Sequence, residues 1–394
     1  MSKPAVKNNR ILRSQQVLNA LIAILRRYLP LDLENTRIRA DDVIAVLGYA
    51  SANRVSMDAA CQELKDAPSA NRLREVLAQA LPGRTTLQRA LNTILRAQTP
   101  RFIKKGKRSY YVAIDLTLIP YHGEYYEDER EIVRSQAKSG TTHFHGYATV
   151  SIVHNNQCYV LALRFAPQAE RRKHGKNRCL ALGSLKTMGI SIRCAYFDKG
   201  FCSVPVLKTL RRRKLRYIVP MPVRGKSGGV RKLFDTPASY KTIYTFNSPK
   251  HGKLEVEAIV VKKYSKGRYK RKGARWFAYA VSGLPKSVAP HQVFEMYRQR
   301  FGIETSYRQM NQVRARTTSQ NPVIRLLLVG LAFVIFNLYI TNREHIAICL
   351  KNPVYPFSKY WLTLRRLARM LAHAVEDLFK LADAVFRHAH FALS

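Results

Sequence analysis

The pattern of apolar residues changes near residue 109, and this change limits the possible folds more than any other feature of the chain. Before it, apolar residues recur with a helical period, which predicts helices over 15–28, 40–47, 57–64 and 71–81. After it, runs of aromatic and β-branched residues predict strands over 109–118, 145–153, 157–165, 191–197 and 216–219. The last two strands alternate with helices predicted at about 176–188 and 203–213. Because strands that alternate with helices pair in parallel, the chain is predicted to be an α/β protein.

A second change interrupts the α/β alternation between residues 224 and 285. Alternating apolar and polar positions predict further strands over 242–246, 253–262 and 274–281. A strongly basic, hairpin-like stretch from Lys262 to Lys272 lies between the last two. Helical patterns then return at about 290–314, 322–341 and 357–388. These patterns predict an all-β insertion with a basic tip.

Five segments follow from these patterns. They are a helical N-terminal DNA-binding domain (1–104), the first part of the α/β core (105–223), the β insertion (224–286), the second part of the core (287–345) and a C-terminal helical region (346–394). Within the first segment, the helix over 71–81 carries Arg72 and Arg74. The helices over 57–64 and 71–81 together suit either a helix-turn-helix that reads DNA or a pair of helices that only pack together.

The charge of the chain predicts its partner. The chain has 68 basic and 25 acidic residues, a net charge of +43, and residues 201–290 alone hold 22 basic and 3 acidic residues. Hydrophobic residues make up 46% of the chain, which is enough for a packed core, so the charge does not indicate disorder. A charge of this size favours a polyanionic partner, and nucleic acid ahead of a membrane surface.

Other features of the sequence favour a reduced, cytoplasmic location associated with the nucleoid. The first residues are polar and lack an apolar signal core, and the six cysteines form no C-x-x-C pair. The most apolar run, residues 326–340, has 15 residues and contains Asn337. A membrane span needs roughly 20 apolar residues, so this run is predicted to be a buried core helix, with no membrane as partner.

Carboxylates in this basic chain are candidates for chemistry. Asp115 lies inside the first strand of the core and Asp198 ends the fourth. These two strands are expected to lie side by side, so the two side chains are expected to converge at the edge where an α/β sheet binds ligands. Glu304 lies on a predicted helix with Tyr297 and Arg300.

The spacing of the polar residues on that helix sets two interpretations against each other. Tyr297, Arg300, Glu304, Arg308 and Asn311 stand at offsets that line one helix face. An exposed polar stripe is one interpretation. The other is a functional face, in which an Arg grips a phosphate while the carboxylate holds a metal.

Three carboxylates in a basic groove suit phosphodiester chemistry. Cleavage or transfer needs an activated water or 3′-hydroxyl and a stabilised leaving oxygen. Two Mg²⁺ or Mn²⁺ ions, roughly 3.5–4 Å apart on hard carboxylate oxygens, supply both. Asp115, Asp198 and Glu304 are therefore the predicted catalytic and metal-binding residues.

Several basic residues are candidates for phosphate contact, although each also suits a solvated face. The candidates are Lys199, Arg211, Arg212, Lys262, Lys263, Arg271 and Lys272, with the basic run at 171–174. His143 and His145 could share a strand face, but with no third ligand nearby they are interpreted as ordinary sheet residues.

Three motifs together resemble a known family. An A-I-D-x-T strand around Asp115, D-x-G-F at Asp198 and Y-x-x-R-x-x-x-E ending at Glu304 resemble the DDE transposases of bacterial and archaeal insertion sequences. The resemblance covers about residues 105–345 and is greatest to the branch with a β-strand insertion in an RNase H-like domain. It implies a mixed sheet flanked by helices, and Asp115, Asp198 and Glu304 as the metal-binding triad.

The same resemblance implies roles for nearby residues and for partners. Tyr297 and Arg300 would contact double-stranded transposon-end DNA near the cleaved phosphate. Asn311 stands where the family has a Lys, and Arg308 is one of the residues that could supply the missing charge. The resemblance also implies a homodimer or higher oligomer assembled on two DNA ends.

The function predicted from residues and resemblance is a transposase. It would bind the terminal inverted repeats of its element, cleave with Mg²⁺-activated water and join the 3′-hydroxyl ends to target DNA. Two alternatives stay open: a stand-alone RNase H-like nuclease, and a DNA-binding protein that has lost catalysis.

Overall fold

The structure is a computed structural model, and it divides into two compact units. It describes residues 12–384 except 35, 101–102, 104–108, 155–156, 168–189, 267–271 and 350–361. One unit comprises residues 1–98 and 308–394, and the other comprises residues 99–307. The helix predicted at 176–188, the basic run at 171–174 and Arg271 lie outside the described residues.

The unit of residues 99–307 is built on a nine-stranded mixed sheet. The strands are β1 (Tyr110–Pro120), β2 (Val133–Lys138), β3 (Thr141–His154), β4 (Gln157–Phe165), β5 (Ile192–Phe197), β6 (Tyr217–Pro220), β7 (Tyr240–Ser248), β8 (Gly252–Lys266) and β9 (Lys272–Ser282). Their order is β2-β3-β1-β5-β6-β9-β8-β7, with β4 also paired to β3. The β1–β5 and β5–β6 pairs are parallel, and the other pairs are antiparallel. The predicted mixed sheet flanked by helices is therefore confirmed.

The predicted β insertion continues the sheet of the core. Its last strand, β9, pairs antiparallel with β6 from Tyr217–Ser282 to Pro220–Tyr279. β6 is the last parallel strand of the core, so its free edge would otherwise expose unpaired backbone groups. The insertion covers that edge, and β7 becomes the outermost strand.

The helices of this unit differ from the sequence prediction at one important point. Among its described residues they are α6 (Val204–Arg212), α7 (Pro290–Arg298) and α8 (Phe301–Met310, which belongs to this unit up to Tyr307). The sequence predicts helix over about 290–314, and the structure has helix there, but in two pieces where a continuous polar face requires one. The helix is interrupted between Arg298 and Phe301, where the backbone N–H groups of Arg300 and Ile303 bond carbonyls three residues back. Arg300 therefore lies in a tight turn.

The face of the sheet under α7 and α8 forms one apolar core. Val293, Tyr297 and Ile303 from the helices pack against alternate strand residues that include Ala113 and Tyr196. The intervening strand residues Val112 and Ile114 are also fully buried. Both faces of the central strands are therefore covered, as in α/β proteins.

The other unit is helical. Its helices are α1 (Ser14–Tyr28), α2 (Ala40–Asn53), α3 (Met57–Glu63), α4 (Ala70–Ala80), α5 (Arg84–Ala97), α9 (Pro322–Cys349) and α10 (Leu364–Phe379). Helices from both ends of the chain share this unit, because α10 packs on α1 and α2, and α9 packs on α5. The roles of the five segments defined from the sequence stay predictions.

The apolar run of the sequence forms the centre of α9. Within the described residues, Pro322–Arg343 is the one stretch of helix long and apolar enough to cross a membrane, with a mean hydropathy of 2.4. However, 83% of its 18-residue apolar window is buried inside the protein. The prediction of a buried core helix is confirmed for this stretch.

Gly146 tests the packing of the sheet next to the site. It lies in β3 opposite Leu118, and a Cβ at this position would stand 2.7 Å from the backbone oxygen of Ala166. Backbone cannot move aside easily, so we expect Gly146→Ala to lower the free energy of unfolding by about 2 kcal/mol. Gly273→Ala is the matched control, because it is also in a strand but has no atom within 4 Å of the added Cβ. Equal denaturant midpoints for the two variants would contradict this account.

Candidate active site

Two of the predicted carboxylates lie where the pairing of two neighbouring parallel strands ends, Asp115 inside β1 and Asp198 just after β5. β1 and β5 run in parallel, and Ile114 pairs with Phe197. Asp115 directly follows Ile114, and Asp198 directly follows Phe197, so the two aspartates lie side by side. Side chains alternate along a strand, and this places Asp115 on the same face as Ala113, which faces α7 and α8. The predicted adjacency of these two strands is confirmed.

A single guanidinium joins all three predicted carboxylates. Arg300 Nη1 lies 3.0 Å from Asp115 Oδ2, and Arg300 Nη2 lies 3.7 Å from Asp198 Oδ1 and 3.3 Å from Glu304 Oε1. The three acids come from β1, from the end of β5 and from α8, which are far apart in the chain. Arg300 is therefore the centre of a four-residue cluster, which we call the carboxylate cluster.

Exposure varies across the carboxylate cluster. The side chains of Arg300 and Asp115 are 7% and 13% exposed, whereas those of Asp198 and Glu304 are 38% and 45% exposed. The cluster is thus closed on the side of β1 and open to solvent on the side of Asp198 and Glu304. The oxygens of Asp198 and Glu304 are therefore accessible to a large substrate.

Backbone groups fix the orientation of the two aspartates. Asp115 Oδ1 accepts a hydrogen bond from the N–H of Leu116 at 2.8 Å. Asp198 Oδ2 accepts one from the N–H of Gly200 at 3.2 Å, and so caps the short 3₁₀ turn Lys199–Phe201. Each aspartate therefore has one oxygen held by backbone and the other directed at Arg300.

Burial changes the proton affinity of Asp115. Loss of solvent raises the pKa of its carboxyl to about 6, and the negative charges of Asp198 and Glu304 act in the same direction. The Arg300 guanidinium and the N–H of Leu116 oppose this rise without cancelling it. The pKa of Asp115 is raised because the one cation does not compensate for burial and for the two neighbouring acids.

Tyr297 lies in the core, and this placement differs from what a direct DNA contact requires. Its side chain is 7% exposed, and its hydroxyl donates a hydrogen bond to the carbonyl oxygen of Phe197 at 3.0 Å. Its ring packs against Tyr196 and Tyr279 and lies 5.4 Å from the Arg300 guanidinium. As placed, Tyr297 holds the end of β5 next to Asp198. The DNA contact implied by the family resemblance stays a prediction.

Two positioning residues were missed by the sequence analysis. The Tyr307 hydroxyl lies 2.5 Å from Thr149 Oγ1, and Thr149 pairs with Asp115 in the β1–β3 register. Tyr307 therefore ties α8, and with it Glu304, to the strand next to Asp115. Burial raises the pKa of Tyr307 well above its usual value, so it stays a neutral phenol. Its position three residues after Glu304, on the same helix face, was the available signal.

The donor set of the cluster fits a divalent metal ion in its chemistry. Three carboxylates converge from three elements, and hard oxygens are the ligands that Mg²⁺ and Mn²⁺ prefer. Within the described part of the chain, no group of three or more His, Cys, Asp or Glu residues is already arranged to hold an ion. The oxygens are instead arranged around Arg300.

The predicted phosphate contacts on the insertion are partly engaged with the protein itself. Lys263 Nζ lies 2.9 Å from Glu295 Oε1 and over the ring of Phe294. Lys262 Nζ donates to the carbonyl of Pro237 at 3.1 Å and lies 4.9 Å from the ring centre of Trp276. Lys272 begins β9.

The remaining predicted contacts are exposed. Lys199 directly follows Asp198, and its side chain is exposed next to the open side of the cluster. Arg211 and Arg212 are exposed at the end of α6, where Arg211 also donates to the backbone oxygen of Glu255. Arg308 is exposed on α8 and belongs to the helical unit.

A basic cavity at the other end of the central strands was also missed by the sequence analysis. It has a volume of about 590 Å³ and is lined by Ser109, Ser191, Ile192, Arg193, Lys214, Leu215 and Arg216. These residues are in or next to the beginnings of β1, β5 and β6, whereas Asp198 follows the end of β5. The sequence signal is weak, because Arg193 lies in a different part of the chain from Lys214 and Arg216.

The sequence match identifies the class of protein as a transposase. Residues 107–337 match the family described as Transposase DDE domain. This match spans more than half of the chain, and the chain belongs to this family of DNA transposases.

Comparison with solved structures gives the same fold. The chain is similar to the piggyBac transposase in the cryo-EM structure of its synaptic complex with hairpin DNA, with 12% sequence identity and a TM-score of 0.57. The similarity covers 96% of this chain and 82% of the other. No curated protein matches the chain in sequence.

Proposed function

We propose that this transposase acts on the ends of a prokaryotic insertion sequence. It binds the terminal inverted repeats, hydrolyses phosphodiester bonds at the ends and joins the 3′-hydroxyl ends to target DNA. The observation that carries this proposal is the convergence of Asp115, Asp198 and Glu304 on one guanidinium, at the end of the β1–β5 pair.

Asp115, Asp198 and Glu304 would hold the divalent ions, Mg²⁺ or Mn²⁺ and two in number. When bound, such ions activate a water or 3′-hydroxyl and stabilise the leaving oxygen. The difference in exposure supports this division of the site. Asp115 is the deep ligand, while Asp198 and Glu304 are on the open side, where a phosphodiester enters.

Residues around the cluster would bind and orient the DNA. Lys199 is exposed beside Asp198, and its ammonium is suited to a backbone phosphate near the reacting one. Tyr297 and Tyr307 hold the strand end and the helix that carry Asp198 and Glu304. The chain thus combines a positioned acidic site with a basic surround.

Assembly on two DNA ends is part of this proposal. The similar piggyBac structure is a synaptic complex with hairpin DNA. For this chain we propose a homodimer or a higher oligomer on paired ends, acting in the cytoplasm on nucleoid DNA. The net charge of +43 is consistent with the close approach of more than one duplex.

A joining assay tests the proposal against its alternatives. Full-length protein is incubated with Mg²⁺, a supercoiled target and duplexes that carry the inverted repeats flanking its gene. Joined products that require the repeat sequence are expected. Cleavage without joining would indicate a stand-alone nuclease. DNA binding with neither cleavage nor joining would indicate a DNA-binding protein without catalysis.

A further inference from the structure

The carboxylate cluster is closed by its own cation. Arg300 is 7% exposed and lies within 3.0–3.7 Å of one oxygen from each of Asp115, Asp198 and Glu304. A buried guanidinium that contacts three acids is strongly held. If it moved away, the negative charges of the acids would repel one another without compensation. In the free protein, Arg300 therefore provides the positive charge that the three acids require.

Arg300 and a divalent ion would use the same oxygen atoms. A bound Mg²⁺ lies roughly 2.1 Å from its carboxylate oxygens. The oxygens directed at the shared centre of the cluster are Asp115 Oδ2 and Glu304 Oε1, and both now contact Arg300. An ion cannot take these oxygens at that distance while the guanidinium remains between them.

We propose that Arg300 is an internal counter-ion that keeps the metal affinity of the free protein low until DNA draws it out of the cluster. This inference rests on the proposed function, and it assigns a regulation to the same site. A backbone phosphate offers Arg300 a bidentate partner equal to a carboxylate. The metal ion then takes the oxygens that Arg300 leaves.

The local backbone is consistent with such an exchange. Arg300 lies in the turn between α7 and α8, outside the regular hydrogen bonding of either helix. A rotation of its side chain toward the open side of the cluster does not require either helix to unwind. By linkage, DNA must raise metal affinity by the same factor as metal raises DNA affinity.

Mn²⁺ binding to full-length protein without DNA tests this inference. Calorimetry or electron paramagnetic resonance measures the dissociation constant for the wild type, Arg300→Gln and Arg300→Lys. We expect Arg300→Gln to bind Mn²⁺ at least about tenfold more tightly than the wild type, a difference of about 1.4 kcal/mol. Arg300→Lys keeps the charge and should stay close to the wild type. Arg298→Gln is the matched control, because it removes an exposed Arg that pairs with Glu295 outside the cluster.

Thermal unfolding gives a second measurement for the same variants. In EDTA, Arg300→Gln should melt below the wild type, because the acids lose their cation, and Mn²⁺ should raise its melting temperature more than it raises that of the wild type. Equal Mn²⁺ affinities and equal Mn²⁺-dependent shifts for the wild type and Arg300→Gln would overturn the inference alone. Absence of Mn²⁺ binding by the wild type even with end DNA would instead overturn the proposed function.

The basic cavity carries an independent inference. Ser109 and Ser191 precede β1 and β5, and their hydroxyls lie 2.9 Å apart. Arg193, Lys214 and Arg216 place three cations around them, and no carboxylate is among the described residues that line the cavity. Hydroxyls and cations without an acid form a lining suited to phosphate.

We infer that this cavity binds backbone phosphates of a DNA segment separate from the reacting one. Asp115 lies six positions after Ser109, which is about 20 Å along the strand. A phosphate in the cavity is therefore too far from the carboxylate cluster to be the one that reacts. This inference requires only that DNA is the partner, so it survives a failure of the transposition proposal.

The salt dependence of DNA binding tests the cavity. We expect the double variant Arg193→Ala with Arg216→Ala to reduce the slope of log affinity against log salt by about 2, because each lost phosphate contact removes about 0.9. The matched control removes Arg130 and Arg134, which pair with Asp128 and Glu129, and should change the slope by less than half a unit. Fluorescence anisotropy with a random duplex gives the slope.

Calorimetry with inorganic tripolyphosphate determines whether the ligand of the cavity is the DNA backbone or a small anion. Weak binding of tripolyphosphate, together with the reduced DNA slope, supports the DNA backbone as the ligand. Tight tripolyphosphate binding that the double variant abolishes, with an unchanged DNA slope, would identify a small-anion site and overturn the assignment to DNA. An unchanged slope without tripolyphosphate binding would overturn the cavity as a phosphate site.

Discussion

Asp198→Asn is expected to reduce end cleavage and joining about 1,000-fold or more while DNA affinity stays within about twofold of the wild type. An amide has the same shape as the carboxylate and can still accept the N–H of Gly200, so the strand end keeps its place. It lacks the charge needed to hold a divalent ion beside the open side of the cluster. The loss should therefore be in the chemical step and not in DNA binding.

The carboxylates of the cluster must be compared with a carboxylate outside it. Glu255→Gln is the matched control, because Glu255 is an exposed acid on β8 of the same unit. Joining of end-containing DNA and binding to the same duplex are measured for Asp198→Asn, Glu304→Gln and this control. Full joining activity in either cluster variant would remove that residue from the proposed triad.

The sequence predicted the strands that carry the aspartates because their signal is local. β1 and β5 are short runs of aromatic and β-branched residues, and alternation places Asp115 on one definite face. Few strand orders were then possible, because a strand that follows a crossover connection usually pairs in parallel with a strand already in the sheet. β2 was missed because only its first residue is buried, so it has no apolar alternation.

The arrangement around Arg300 could not be predicted from spacing. The offsets from Tyr297 to Arg308 match a regular helix, and only the tertiary structure interrupts it at Arg300. That interruption separates residues predicted to share one face. Tyr297 packs in the core with its hydroxyl on the carbonyl oxygen of Phe197, and Arg300 contacts Asp115 and Asp198, which are distant from it in the chain. Long-range contacts of this kind leave no periodic signal.

The second large effect is a gain in the stability of the folded protein in a variant that loses activity. Asp115→Asn is expected to abolish joining and yet to stabilise the folded protein at neutral pH in EDTA. The pKa of Asp115 is about 6 in the folded protein, against an ordinary value of 3.8. A folded state that binds this proton more tightly than the unfolded chain loses stability as the carboxyl ionises. The difference in pKa corresponds to about 3 kcal/mol at pH 7.

The pH dependence of unfolding distinguishes this cause from a general packing effect. Below about pH 4 the wild-type carboxyl is protonated in both states, so the wild type and Asp115→Asn should have similar stability. As the pH rises from about 4 to 6 the wild type loses stability relative to the variant, and above about pH 6 the difference is constant. Urea unfolding in EDTA across this range measures the difference, with Glu255→Gln as the exposed control. A variant that is less stable than the wild type at pH 7 would contradict the buried, uncompensated charge assigned to Asp115. A stabilising Asn at this position would mean that the fold keeps an ionised carboxylate there at a cost in stability, which is expected of a residue retained for chemistry and not for packing.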